Sequence, residues 1–266
     1  MKKWKVFCYI SIFTIASLMM SCVRESEMGN GFKKPSKEDL NRAISLYVQI
    51  AYKALENNEY ERAMANVKQA LDIDKNSPMA LNALAVVFQS QGDTGKARET
   101  FKKALSNDAN FSDAHLNYGQ FLLQQKESEA ACKQFQLAAD DDFYQKRAIA
   151  YFYMGVCHKN NGDIAQSESA LERCLGLDPA NAQAMGMLAS IKFEKHQYPE
   201  AKELFDKHVQ AVRASKQVLS AEALWLGIQL ERVFNKPDAE ASWALFLKNN
   251  YPYSKEYLEY QKSLKK

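Results

Sequence analysis

The side chains with most chemistry to offer are four histidines, three consecutive aspartates and five cysteines. His115, His158, His196 and His208 are dispersed, with no spacing that would bring two imidazoles onto one metal ion. His115 and His208 stand at helix-packing positions, and packing or solvated roles are expected for all four. Asp140, Asp141 and Asp142 carry the oxygen ligands a hard cation takes. In a loop between helices, such a run is expected to serve as solvated charge and a helix cap instead. No Gly-rich phosphate loop, G-x-S-x-G or H-E-x-x-H motif occurs. No catalytic residue, metal ligand, cofactor or small-molecule substrate is therefore expected, and the chain reads as a non-enzyme.

Of the cysteines, Cys8 and Cys22 lie near the start, leaving Cys132, Cys157 and Cys174 in the body. An odd number leaves at least one thiol free or intermolecular. Cys157 and Cys174 share a helical hairpin at different heights, about 10 Å apart at 1.5 Å rise per residue. That is beyond disulfide reach. Cys132 and Cys157 stand nearer level, yet packed thiols are expected there too.

Cys22 carries a different chemistry. Lys2, Lys3 and Lys5 precede an apolar stretch from Val6 to Met20, short for a transmembrane helix. It closes in Leu18-Met19-Met20-Ser21-Cys22, a small residue followed at once by Cys. This is similar to a bacterial lipobox, although Met19 stands where Leu is usual. Residues 1–21 are expected to be a lipoprotein signal peptide, and the Cys22 thiol to take a covalent lipid; an ordinary secretory signal is the alternative. Val23 and Arg24, with no Asp after the cysteine, favour the outer membrane, facing the periplasm. More than one acyl chain, at about 0.8 kcal/mol per buried CH₂, makes such an anchor stable. Residues 22–43 read as lipidated tether and entry to the first helix, polar and carrying Gly29, Gly31 and Pro35.

These few reactive groups sit in a helical background. Glycine and proline number only 10 and 6, and Ala, Leu, Lys, Glu and Gln dominate the body. The net charge of +3 is spread along the chain, so no nucleic-acid footprint exists.

The segments NNEYERAMANVKQALDID, QGDTGKARETFKKALSND and NGDIAQSESALERCLGLDP align at a period near 34 residues. Each unit reads as two antiparallel helices, with small residues where they cross. Those positions hold Ala51, Ala63 and Ala70, then Ala85, Ala97 and Ala104, then Gly119, Ala131 and Ala138. Further on come Gly155, Ser167 and Cys174; Ala189, Ala201 and His208; and Gly227, Ala239 and Phe246. The matching large residues are Val67, Phe101, Phe135, Leu171, Phe205 and Trp243.

This pattern identifies tetratricopeptide repeats. The expected fold is an all-α superhelical solenoid of six helix pairs over residues 44–253, divided as 44–77, 78–111, 112–147, 148–181, 182–219 and 220–253. Residues 254–266 form a C-terminal capping helix. Two residues are inserted near Asp140 to Phe143 and four at Ser215 to Leu219, each changing the angle between neighbouring pairs. Stacking of neighbours supplies the stability that one pair lacks.

In such a fold the first helix of each pair lines a groove. The side chains expected to line it are Val48, Tyr52, Asn82, Val86, Leu116, Asn117, Gln120, Phe152, Tyr153 and Val156, with Met187 beyond. Apolar residues with interspersed amides suit a partner's helix or strand. The Lys/Asn set by which chaperone adaptors clamp a C-terminal carboxylate is missing; Val48 and Tyr52 stand where its first pair would be.

Longer motifs narrow the reading. Ala83-Leu84-Ala85-Val86-Val87-Phe88-Gln89, Asn117-Tyr118-Gly119 and Leu226-Gly227-Ile228 resemble repeats of the type IV pilus biogenesis and stability lipoproteins, the pilotins of the outer-membrane secretin. Leu247-Lys248-Asn249-Asn250-Tyr251-Pro252, with Ser254, Glu256 and Tyr257, is similar to that family's C-terminal signature. The resemblance implies a lipoprotein that binds secretin subunits, escorts them to the outer membrane and promotes their assembly. A repeat lipoprotein of another outer-membrane machine, of the β-barrel assembly type, is the alternative, and the C-terminal signature argues against it.

Overall fold

A computed structural model describes residues 35–264; the expected signal peptide, Cys22 and the tether through Lys34 lie outside the described residues. The chain from Asn41 onward forms one compact unit. At the head of the described residues, Ser36 and Asp39 form a reciprocal cap. The Asp39 N–H donates to the Ser36 hydroxyl at 3.1 Å and the Ser36 N–H to the Asp39 carboxylate at 3.0 Å.

Thirteen helices, and no strand, occur among the described residues. The first three pairs are α1 (Lys37–Glu56) with α2 (Tyr60–Ile73), α3 (Pro78–Ser90) with α4 (Thr94–Asn107), and α5 (Ser112–Gln124) with α6 (Ser128–Ala139). The next three are α7 (Arg147–Asn160) with α8 (Ile164–Leu177), α9 (Ala182–Glu194) with α10 (Tyr198–Ala214), and α11 (Ala221–Val233) with α12 (Pro237–Asn250). The cap is α13 (Lys255–Ser263), packed on α11 and α12. None of these helices is long and apolar enough to cross a membrane.

Local chemistry sets the helix ends. Ser77, Asp93, Asn181, Ser220 and Ser254 each accept a backbone N–H of the first turn of the helix that follows. Within every pair the chain turns through a left-handed residue: Asn58, Gly92, Lys126, Gly162, His196 and Asn235, all at φ between 53° and 83°. Gly92 and Gly162 adopt this conformation without steric cost.

The crossing positions fill as expected in the first five pairs. Ala51, Ala63, Ala85, Ala97, Ala131, Ser167, Ala189 and Ala201 are fully buried, and so are Val67, Phe101, Phe135, Leu171 and Phe205. Burying each such large side chain contributes about 1.5–3 kcal/mol. A Cβ placed on Gly119 would lie 2.6 Å from the Phe135 ring, so only glycine lets α5 approach α6 this closely. Ser167 spends its hydroxyl on the Gly155 carbonyl at 2.7 Å, which leaves no unpaired polar atom at that crossing.

The sixth pair departs from expectation. Phe246 is 52 % exposed, while Leu247 is fully buried and takes the crossing place. The turn residues His196 and Asn235 lie 39 apart, against 34 between Asn58 and Gly92, so five residues, rather than four, have entered. They extend α10 to 17 residues and add a second left-handed turn at Lys216. The buried stripe of α12 moves on by one residue as a result.

The cysteines also correct the expectation of packed thiols. Cys132 on α6 and Cys157 on α7 form a disulfide, with Cα atoms 5.6 Å apart. Cys174 remains a free, buried thiol whose pKa burial pushes up to about 11. Among the aspartates, Asp140 and Asp142 are exposed. Asp141 takes no helix N-terminus: it accepts the Ser112 hydroxyl at 2.6 Å and the Phe143 N–H at 3.0 Å. Both bonds hold its carboxyl below the usual carboxylate range.

Candidate functional site

Two clefts divide the surface expected to be one groove. The first, about 630 Å³, lies on the first three pairs and the start of the fourth; Val48, Tyr52, Asn82, Val86 and Asn117 line it. Around them stand Ser45, Gln49, Met79, Phe111, Asp113 and Lys146.

Its floor is a polar ladder. Asn82 donates to the Tyr52 hydroxyl at 3.1 Å, and Asn117 donates to the Asn82 side-chain carbonyl at 3.2 Å and to Tyr52 at 3.5 Å. The three side chains come from α1, α3 and α5, the first helices of successive pairs. Burial, then the Asp113 charge, pushes the Tyr52 phenol pKa up, so the hydroxyl keeps its proton. At one edge, Asp113 accepts from the Tyr144 hydroxyl and pairs with Lys146, both at 2.8 Å.

This arrangement corrects part of the expected peptide-binding set. Asn82 is 2 % exposed and its amide is engaged by Tyr52 and Asn117, so it is a floor residue and not a free donor to a ligand backbone. Val48 and Leu116 are buried in the core at 4 % and 3 %, because the first-helix face that lines the cleft also packs between pairs. Val86 stays partly exposed in the cleft wall. Gln120 is half-buried and outside the cleft lining.

The second cleft, about 510 Å³, lies on the last three pairs and includes Phe152 and Met187. His208, Val218, Leu219 and Leu226 line it as well; the lengthened loop after α10 supplies Val218 and Leu219. Tyr153 instead stacks on Phe135 with ring centroids 5.3 Å apart, and Val156 lines neither cleft. His208 serves packing: its Nδ1 lies 2.8 Å from the Ala182 carbonyl, so Nδ1 carries the donated proton. Burial lowers its pKa.

Lys146, Val218 and Leu219, which stand in the lengthened loops, and Asp113, in the first turn of α5, escaped the sequence reading, since the 34-residue period picks out only the recurring positions in the middle of each first helix. The sole hint was the length of the two inserted loops. Cys132, Cys157 and His158 bring potential metal-ligating atoms within 4.8 Å of one another, but the two sulfurs are bonded together.

Tetratricopeptide-repeat patterns match residues 48–110, 82–146 and 160–224. The type IV pilus assembly protein PilF of Pseudomonas aeruginosa is 31 % identical over 252 residues, covering 94 % of this chain and 96 % of that protein. The chain belongs to the PilF family of type IV pilus biogenesis proteins. The solved P. aeruginosa PilF structure superposes with a TM-score of 0.79 at 31 % identity, covering 84 % of this chain and 99 % of that one. PilW, described as a widely conserved type IV pilus biogenesis factor, superposes at 0.69 with 27 % identity, covering 83 % and 99 %. The two superpositions extend over most of the chain, so the all-helical repeat fold described above is shared with these proteins.

Proposed function

We propose that this chain is a lipid-anchored outer-membrane protein that binds subunits of the type IV pilus secretin and promotes their localisation and multimerisation. The observation that carries the reading is identity to PilF spread over nearly the whole chain, together with the C-terminal signature from Leu247 to Tyr257. The cleft on the first three pairs supports a binding role, since it combines Val86 and Met79 with a satisfied polar floor. A segment of secretin would bury apolar side chains against that wall and leave the ladder intact. Cys22 would hold the solenoid at the inner leaflet of the outer membrane through its acyl chains. Catalysis has no part in this proposal; the protein acts by holding its partner.

Removing the protein from cells tests the function. Secretin monomers should accumulate and multimers disappear, with Cys22→Ser giving a mislocalised secretin. Normal secretin multimers in its absence would rule the proposal out.

A further inference from the structure

A third cleft, about 310 Å³, opens between α9, α11 and α13, away from the N-terminal groove. Four carboxylates line it, Glu194, Glu222, Glu256 and Glu259, beside the Trp225 indole. One lysine, Lys255, also lines the cleft, and its side chain is 77 % exposed.

Glu256 is the informative residue. It belongs to the C-terminal signature, no residue of which lines the N-terminal cleft, and α13 carries it inward until it is 5 % exposed. Its Oε1 is buried with no hydrogen-bond partner. Lys255 Nζ approaches that oxygen only to 3.5 Å, beyond the usual length of a charge-assisted hydrogen bond. Arg232 lies over Trp225, but its guanidinium is committed to Glu240 at 2.6 Å and to Ser263 at 2.8 Å. A buried carboxylate oxygen without a hydrogen bond is costly, and Glu256 lines a cleft of excess negative charge.

We propose that this C-terminal cleft receives an arginine side chain from a partner polypeptide. A guanidinium is planar, remains charged, and presents paired N–H donors that match a carboxylate. It would meet Glu222 and the Glu256 carboxylate at the cleft wall while lying along the Trp225 ring, where a cation is further stabilised. Lysine offers a point charge without that fit. The assignment does not depend on which protein occupies the N-terminal cleft.

The test uses the full chain and N-acetyl-arginine methylamide as probe, read from the indole N–H resonance of Trp225, assigned with Trp225→Phe. Saturable shifts are expected with the arginine compound and none with the neutral N-acetyl-citrulline methylamide. The lysine analogue should bind at least severalfold more weakly. Glu256→Gln with Glu222→Gln should weaken arginine binding about tenfold or more, with the circular dichroism unchanged. Should the double variant misfold, Glu222→Gln alone, at an exposed position, should weaken binding measurably. Equal shifts with citrulline, equal affinity for lysine, or full affinity in a folded Glu222→Gln variant would each overturn the assignment.

Discussion

The Asn117 amide donates to the Asn82 side-chain carbonyl at 3.2 Å, tying the third helix pair to the second beneath the N-terminal cleft. Asn82 passes the connection on to Tyr52, so three repeats share one chain of hydrogen bonds. Asn82→Ala leaves the Asn117 donor and the Tyr52 hydroxyl without this buried partner. A loss of about 1–3 kcal/mol in unfolding free energy is expected, measured by urea titration. Unchanged stability would mean that Asn82 is spare for a ligand after all.

Glycine at the α5–α6 crossing is a second test. A Cβ there falls 2.6 Å from Phe135 Cε1, and Phe135 is fully buried with nowhere to go. Gly119→Leu should cost about 1–3 kcal/mol or more through overpacking. Phe135→Leu in the same chain should restore part of the loss, as judged by thermal unfolding.

The disulfide between Cys132 and Cys157 staples α6 to α7 across the lengthened loop. Disulfides typically contribute about 2–4 kcal/mol by constraining the unfolded chain. Reductant should therefore lower the unfolding midpoint of the native protein, and should leave a Cys132→Ala, Cys157→Ala double variant unmoved.

How much the sequence disclosed follows from what repeats. The small residues from Ala51 to Ala201, and the six pairs, recur at intervals near 34 residues, so they were legible residue by residue. The disulfide was not, because the relative height of Cys132 and Cys157 is set by how residues 140–146 fold, and that loop has no counterpart in the other repeats. The same holds for Phe246: a five-residue insertion upstream rotates its helix until Leu247 faces inward. In the groove, the 34-residue spacing picks out first-helix positions but says nothing of their depth, and Gln120 and Val156 line neither cleft. Val48 and Leu116 went to the core, and Asn82 found its partners within the protein.

His208 predicts a pH dependence. Burial sets its folded pKa below the ordinary 6.5, and the hydrogen bond that Nδ1 donates to the Ala182 carbonyl offsets only part of that shift. Between those two values the unfolded chain binds the additional proton, so stability is full above about 6.5 and is lost as pH falls toward the folded pKa. The melting temperature should hold above about pH 6.5 and drop as pH falls below it. His208→Gln, which keeps a donor for Ala182, should flatten that drop.

Binding of purified secretin subunits to cleft variants tests whether secretin sits in the N-terminal cleft, as we propose. Val86→Asp puts an unpaired charge into the apolar wall of that cleft, while Phe152→Asp does so in the second cleft. Val86→Asp should weaken secretin binding at least tenfold, about 1.4 kcal/mol, with helicity unchanged and with Phe152→Asp close to wild type. A folded Val86→Asp protein that binds secretin with native affinity would contradict that placement.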